Sequence, residues 1–272
     1  EGHAVRSAIR VVNPLNDGEG VMRTTLLPGV LKAASANLAR RTPAVRLFEI
    51  GRVILEGAGK LPEQPERMAF VMAGTPDSDW SSTATSPDVY DGTGMWTLLA
   101  ERLRVPDAEI RQATLPAFHP GRCAEILVGG AVIGAVGEVH PRVVEAFGLT
   151  GRVVAAEFDL AELLVDRGPW TFEPPSVYPP VVFDLAFSLD VTTAAADLIA
   201  TIRDAAGSDL ESVRVFDVFR GESVGEGRKS VAVALRLRAA DRTLTDDDAG
   251  EIRQAIATAV GDRLAGELRG SL

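Results

Sequence analysis

From residue 181 to residue 190 the large apolar side chains fall on every second position. Val181, Phe183, Leu185, Phe187 and Leu189 alternate with Val182, Asp184, Ala186, Ser188 and Asp190. A period of two belongs to a strand with one face covered and one face free. The next segment changes period: Ala195, Leu198, Ile199, Ile202 and Ala205 recur at helical spacing and are closed by Gly207. A strand is expected over Val213–Val218, and another where Val231, Val233, Leu235 and Leu237 alternate with Ala232, Ala234, Arg236 and Arg238. Ala249, Ile252, Ile256, Ala259, Val260 and Leu264 mark a long amphipathic helix, with a short last strand expected within Glu267–Leu272. The order β-α-β-β-α-β is the ferredoxin-like split βαβ pattern. Its two helices cover one sheet face and leave the other open.

Upstream of this unit the prolines cluster. Asp166-Arg167-Gly168-Pro169 precedes Trp170, then come Pro174-Pro175 and Pro179-Pro180. Clustered prolines without periodicity favour extended, helix-free chain. The expected organisation is a first domain over 1–165, a linker over 166–178 and the ferredoxin-like domain over 179–272. The first domain reads as mixed, with a helix from Pro28 to Arg40-Arg41 carrying Val30, Leu31, Ala34 and Leu38 on one face. Strands are expected over Val45–Leu55, Met68–Ala73 and Val153–Phe158, a helix over Met95–Leu103, and a hairpin from Ala124–Val128 and Val132–Val136 about Gly129-Gly130. The fold class is therefore α+β.

Charge narrows the function. The net charge is −10, with 17 basic against 21 acidic residues before residue 170 and 11 against 17 from there on. Both parts are acidic, so an autonomous nucleic-acid binder is disfavoured, because phosphate neutralisation dominates that affinity. No apolar run approaches the ~20 residues of a membrane span, so no membrane partner is expected. One cysteine, Cys123, allows no internal disulfide, and with no secretion signal the expected location is cytoplasmic. The first residue is Glu, so the sequence is expected to be part of a longer chain.

Enzymatic motifs are sparse. His3, His119 and His140 lie far apart and no cysteine pair exists, so no metal site is expected. Cys123 stands at the start of a β-run, four residues after His119, and reads as an inert small apolar residue. Neither a G-x-S-x-G elbow nor a G-x-x-x-x-G-K-[ST] loop occurs. Gly18-Glu19-Gly20 carries no phosphate signature, and Gly225-Glu226-Gly227-Arg228-Lys229 reads as a basic-ended hairpin turn. Thr245-Asp246-Asp247-Asp248 invites a metal, but Thr245 fits a helix N-cap and Asp248 the third helical position of a capping box.

The open sheet face is the most suggestive surface. Asp184, Ala186 and Ser188 share it with Ser230, Ala232, Ala234 and Arg236. Small residues there suit either the close approach of a ligand or packing against another domain, and these two strands lack the stacked aromatics of an RNA-recognition sheet. Aromatics occur instead in Phe216-Asp217-Val218-Phe219-Arg220-Gly221. Strict alternation from Val213 and Val215 sends Asp217 and Phe219 into the core, where an unpaired carboxylate is costly. The strand is therefore expected to end or bulge near Phe216, exposing both. The plainer alternative is an Asp that bonds backbone in the turn.

These residues resemble a known family, the bacterial phenylalanyl-tRNA synthetase β subunit. The second half is similar to its ferredoxin-fold anticodon-binding domain through Tyr178-Pro179-Pro180-Val181-Val182-Phe183-Asp184, Phe216-Asp217-Val218-Phe219-Arg220-Gly221, Gly227-Arg228-Lys229-Ser230, Arg242-Thr243-Leu244-Thr245-Asp246 and Glu267-Leu268-Arg269. The first half resembles the preceding synthetase-like module through Val12-Asn13-Pro14-Leu15, Met22-Arg23-Thr24-Thr25-Leu26-Leu27-Pro28-Gly29, Leu47-Phe48-Glu49-Ile50-Gly51-Arg52-Val53, Phe118-His119-Pro120-Gly121-Arg122 and Gly137-Glu138-Val139-His140-Pro141. Only the region around residues 74–115 lacks a match. Three positions depart from the family pattern: Phe183 stands where Arg is usual, Phe219 where Tyr is usual, and Cys123 where Ser is more common.

The resemblance implies a partial class II synthetase-like antiparallel sheet module followed by the ferredoxin-like βαββαβ domain. In one register the ATP-binding Phe-Arg-x-Glu motif of class II enzymes falls on Val53-Ile54-Leu55-Glu56, and Ile54 cannot stabilise a phosphate. The resemblance thus implies a segment with no catalytic residue and no bound cofactor. It would scaffold the catalytic α subunit in an assembly of two α and two β chains that uses ATP and magnesium to charge tRNA(Phe). Phe219 would stack on an anticodon base and Asp217 would bond it, with Arg220, Lys229 and Arg236 as phosphate contacts. The alternative is a protein-interaction or regulatory module, since fold alone does not fix function. A free catalytic synthetase is disfavoured by Ile54.

Overall fold

The computed structural model describes residues 8–15, 20–80, 83–169, 171–172 and 174–270. His3, Gly18-Glu19 and Trp170, named above, lie outside the described residues. The chain forms two compact units, Glu1–Pro169 and Trp170–Leu272.

The first unit runs α1 (Leu27–Ala39), β1 (Ala44–Arg52), β2 (Glu66–Gly74), α2 (Val89–Arg102), β3 (Ala108–Gln112), β4 (Phe118–Val128), β5 (Ala131–Val139), α3 (Pro141–Ala146) and β6 (Val153–Asp159). Its strands make one antiparallel six-stranded sheet in the order β1-β2-β6-β5-β4-β3. Strand β6 is buried along almost its whole length, so both its faces need cover. On one face Ala69, Val71, Val153 and Ala155 pack with Val30, Leu31 and Ala34 of α1. On the other, Phe70, Val136, Val154 and Phe158 pack with Trp96 and Ala100 of α2. Trp96 meets Phe158 edge-on, ring centroids 5.3 Å apart. Gly92 lets α2 approach, since a Cβ there would lie 2.6 Å from Val154 and 2.9 Å from Val136.

The helix starts are fixed by two different devices. Asp88 and Asp91 form a reciprocal capping box at α2. At α1 the N-cap residue Leu26 makes no side-chain cap; the Thr25 hydroxyl accepts from Leu27 N–H at 3.2 Å, and Glu157 of β6 accepts from the Leu26 backbone N–H at 3.2 Å and from the Thr25 hydroxyl. Arg67 of β2 holds the same carboxylate at 3.3 Å and Asp159 at 2.7 Å. A buried carboxylate is tolerated where donors and a cation surround it. Sequence reading missed β3 and α3 and began α2 at Met95, six residues late. The β4–β5 hairpin forms as expected, with Gly129 and Gly130 both at positive φ, 55° and 79°. Cys123 is buried, its thiol donates to Ala113 O at 3.0 Å, and burial pushes its pKa up. That is the environment of an inert cysteine.

The second unit runs β7 (Val181–Asp190), α4 (Ala195–Ala206), β8 (Leu210–Phe219), β9 (Arg228–Leu237), α5 (Asp246–Leu264) and β10 (Glu267–Leu268). The sheet order β10-β7-β9-β8 is the ferredoxin-like one. Leu185, Phe187, Leu189, Val231, Val233 and Leu235 face Leu198 and Ile202 of α4 and Ile256 and Val260 of α5. Thr245 and Asp248 form the capping box of α5, and Arg242 donates to Asp248 at 2.6 Å. The acidic trio 246–248 therefore belongs to a helix start, and among the described residues no three His, Cys, Asp or Glu are grouped to hold a metal. No described helix is long and apolar enough to cross a membrane.

Candidate nucleic-acid interface

The face of the second sheet opposite the helices is set by strand register. Central β9 presents Ser230, Ala232, Ala234 and Arg236, and β7 sets Ser188, Ala186, Asp184 and Val182 directly beside them. Edge strand β8 completes the face. After a first shift between Leu210 and Ser212, it sets Ser212 opposite Arg236 and Arg214 opposite Ala234, while Val213 and Val215 pair with Leu235 and Val233 on the helix side. The register then slips between Val215 and Asp217, leaving Phe216 as the extra residue of a bulge. Beyond the slip Asp217 lies opposite Ala232 and Phe219 opposite Ser230. The strand does bulge at Phe216, as the cost of a buried Asp217 requires, and it continues to Phe219 instead of ending.

The bulge puts an aromatic ring and a carboxylate on a floor of methyl groups and hydroxyls. Asp217 is exposed, and Phe219 is 46% exposed. The ring folds back on the turn after the strand: a Cβ on Gly221 would lie 2.7 Å from its Cζ and 3.0 Å from its Cε1. Gly221 is thus the residue that lets the ring lie where it does. Ser230, directly across from Phe219, is buried and lines the same corner.

The three cations named from sequence occupy different settings. Arg236 is on the open face, but Glu211 holds its Nε at 2.5 Å and also accepts from Arg238 at 3.1 Å. Those two bonds, Arg236 first, keep the Glu211 carboxyl below its usual range. Lys229 pairs with Leu189 and points to the helix side. It is only 8% exposed, and its Nζ donates to Val191 O at 3.0 Å and Thr193 O at 2.6 Å, tying down the β7–α4 loop. Burial, with the nearby Arg220 charge, lowers its pKa. Arg220 is exposed just past the end of β8. The open face thus gathers Asp217, Phe219 and Arg236, leaves Arg220 at its rim, and excludes Lys229. Alternation from Val231 carries the signal for Lys229, since residue 229 shares that parity.

Residues 1–160 match the model of the phenylalanyl tRNA synthetase beta chain CLM domain, and residues 176–269 match that of the ferredoxin-fold anticodon binding domain. The chain belongs to the phenylalanyl-tRNA synthetase beta chain family. It is 38% identical to the phenylalanine–tRNA ligase beta subunit of Thermobifida fusca, over 99% of this chain and 36% of that one. It is equally 38% identical to the Moorella thermoacetica beta subunit, over 99% of this chain and 34% of that one. The chain thus spans about a third of the length of the curated relatives it matches. The expected fold class, a synthetase-like antiparallel module followed by a ferredoxin-fold anticodon-binding domain, stands.

Proposed function

We propose that the chain is the part of a phenylalanine–tRNA ligase β subunit that supports the catalytic α subunit and reads the tRNA(Phe) anticodon. The domain scheme that goes with this is 1–165 as support, 166–178 as linker and 179–272 as anticodon module. The observation that carries it is the bulge at Phe216, which brings Asp217 and Phe219 to the open face of a fold matched to anticodon binding. Phe219 offers a stacking surface, worth about 1–3 kcal/mol per base on such platforms. Asp217 accepts hydrogen bonds from a base edge and so contributes specificity more than bulk affinity. Arg220 and Arg236 are placed for phosphate, Arg236 by exchanging Glu211 for it. Lys229 would act through the loop that it holds.

The assembly is two α and two β chains in the cytoplasm, using ATP and magnesium. This segment takes no step in that chemistry, because its residues do not fit an ATP phosphate: aliphatic Ile54 follows β1, its backbone N–H given to Arg23 O at 2.8 Å. The test is Phe219→Ala in the reconstituted holoenzyme. The KM for tRNA(Phe) should rise about 5-fold or more while phenylalanine-dependent ATP–pyrophosphate exchange is unchanged. An unaltered KM refutes the stacking role.

A further inference from the structure

The open face carries a cation that the motifs did not single out. Arg214 stands on β8 opposite Ala234, on the same face as Asp217 and Phe219. It is exposed, and among the described residues it has no hydrogen bond or ion pair. Two other arginines of this face are engaged. Arg236 is held by Glu211, and Arg228 donates to the Ser188 hydroxyl at 2.8 Å and the Ser188 carbonyl at 2.7 Å. The register also orders charge across the sheet. Asp184 of β7, Ala234 of β9 and Arg214 of β8 form one row, negative at one end, a methyl group in the middle and positive at the other. Within this row a polyanion is repelled at the Asp184 end and drawn to the Arg214 end, and the next row along β8 carries the Asp217 carboxylate.

Resting on the anticodon-reading proposal, we infer that Arg214 is a further tRNA contact, binding a backbone phosphate of the nucleotide strand whose base is held at Phe219. Arg214 precedes Asp217 by one facing position, about 7 Å along a strand rising ~3.4 Å per residue, and Phe219 by two, about 14 Å. The guanidinium is therefore set to meet the phosphate of a neighbouring nucleotide while the base stays on the ring. In a domain of net negative charge, an arginine kept free of every acidic partner is the group available to take one.

The test measures tRNA(Phe) binding by the reconstituted holoenzyme across about 50–200 mM KCl, for wild type, Arg214→Ala, Arg214→Lys and Phe219→Ala. A phosphate contact to single-stranded RNA contributes about 0.7 to the slope of log K against log salt. Arg214→Ala should lower the magnitude of the slope by about that amount and weaken binding several-fold at the low-salt end. Arg214→Lys should restore the slope, and Phe219→Ala should weaken binding at all salt concentrations with the slope unchanged. Thermal midpoints equal to wild type exclude a folding defect at this exposed position. If Phe219→Ala weakens binding and Arg214→Ala changes neither affinity nor slope, the Arg214 contact is overturned and the platform stands. If neither variant has an effect, the platform falls and the Arg214 contact with it.

Discussion

Gly221→Ala separates the fold from the platform. A Cβ at this position meets the Phe219 ring at 2.7 Å from Cζ and 3.0 Å from Cε1. Carbon atoms pack at about 3.5 Å, so the far edge of the ring must retreat by roughly 0.8 Å. The retreat costs the fold little, because Phe219 is 46% exposed and free to swing. The backbone at Gly221 is not in the left-handed region, so alanine fits it and removes freedom from the unfolded chain, a gain of about 0.4–1 kcal/mol. The thermal midpoint should therefore hold or rise slightly. Binding should move the other way. If stacking on this ring supplies about 1–3 kcal/mol, a tilted ring forfeits part of it, and the KM for tRNA(Phe) should rise about 3- to 10-fold. Steady-state aminoacylation with tRNA varied, alongside differential scanning fluorimetry, reads both quantities. A variant as stable as wild type with an unchanged KM would refute the claim that the resting position of the ring matters.

Other variants address the framework. Thr245→Ala removes the hydroxyl that accepts from Asp248 N at 3.2 Å, and should cost about 1 kcal/mol in urea denaturation. The same cap gives a pH signature: Arg242, then the backbone N–H and hydroxyl of Thr245, hold the Asp248 carboxyl well below the usual carboxylate range. A carboxyl depressed in the folded state contributes stability above its unfolded pKa and loses it as pH falls through the folded value. The advantage of wild type over Asp248→Asn should thus shrink in urea midpoints taken from about pH 6 down to pH 2. Gly92→Ala forces α2 off Val154 and Val136, and should lower stability by about 1–3 kcal/mol without altering tRNA affinity in a stability-matched assay. Phe183→Leu should cost about 0.5–1 kcal/mol in chemical denaturation, because the Arg253 guanidinium lies 4.5 Å from the centre of the Phe183 ring.

What sequence could deliver here was set by the range over which each signal acts. The alternation of β7 and β9, the helical spacing of α4 and α5 and the Thr245–Asp248 box are all local, and each appears in the structure where its residues put it. The bulge at Phe216 was legible as a conflict between parity and burial cost. Glu157 was not legible: it caps α1 from 131 residues away, and nothing near it in sequence marks it as a cap. Short α3 and edge strand β3 lack a periodic apolar face long enough to register; β3 has only Ile110 turned partly inward. The start of α2 was lost because Tyr90 and Gly94 sit on its exposed side and Gly92 on its buried side, which inverts the usual apolar pattern. The resemblance makes Lys229 a phosphate contact, although its parity assigns it to the helix side.

Phe216 also divides β8 into two segments answerable to different constraints. Ahead of it, Val213 and Val215 are judged by the helices they pack against; beyond it, Asp217 and Phe219 are judged by whatever crosses the open face. Pairing straight through Phe216 at the same length would exchange inside for outside along the last third of the strand, whereas losing Phe216 itself would leave Asp217 opposite Ala232 and Phe219 opposite Ser230. What sets the faces beyond this point is therefore that Phe216 stays out of the ladder. The distal segment can trade one exposed side chain for another, and the interior need never register the change.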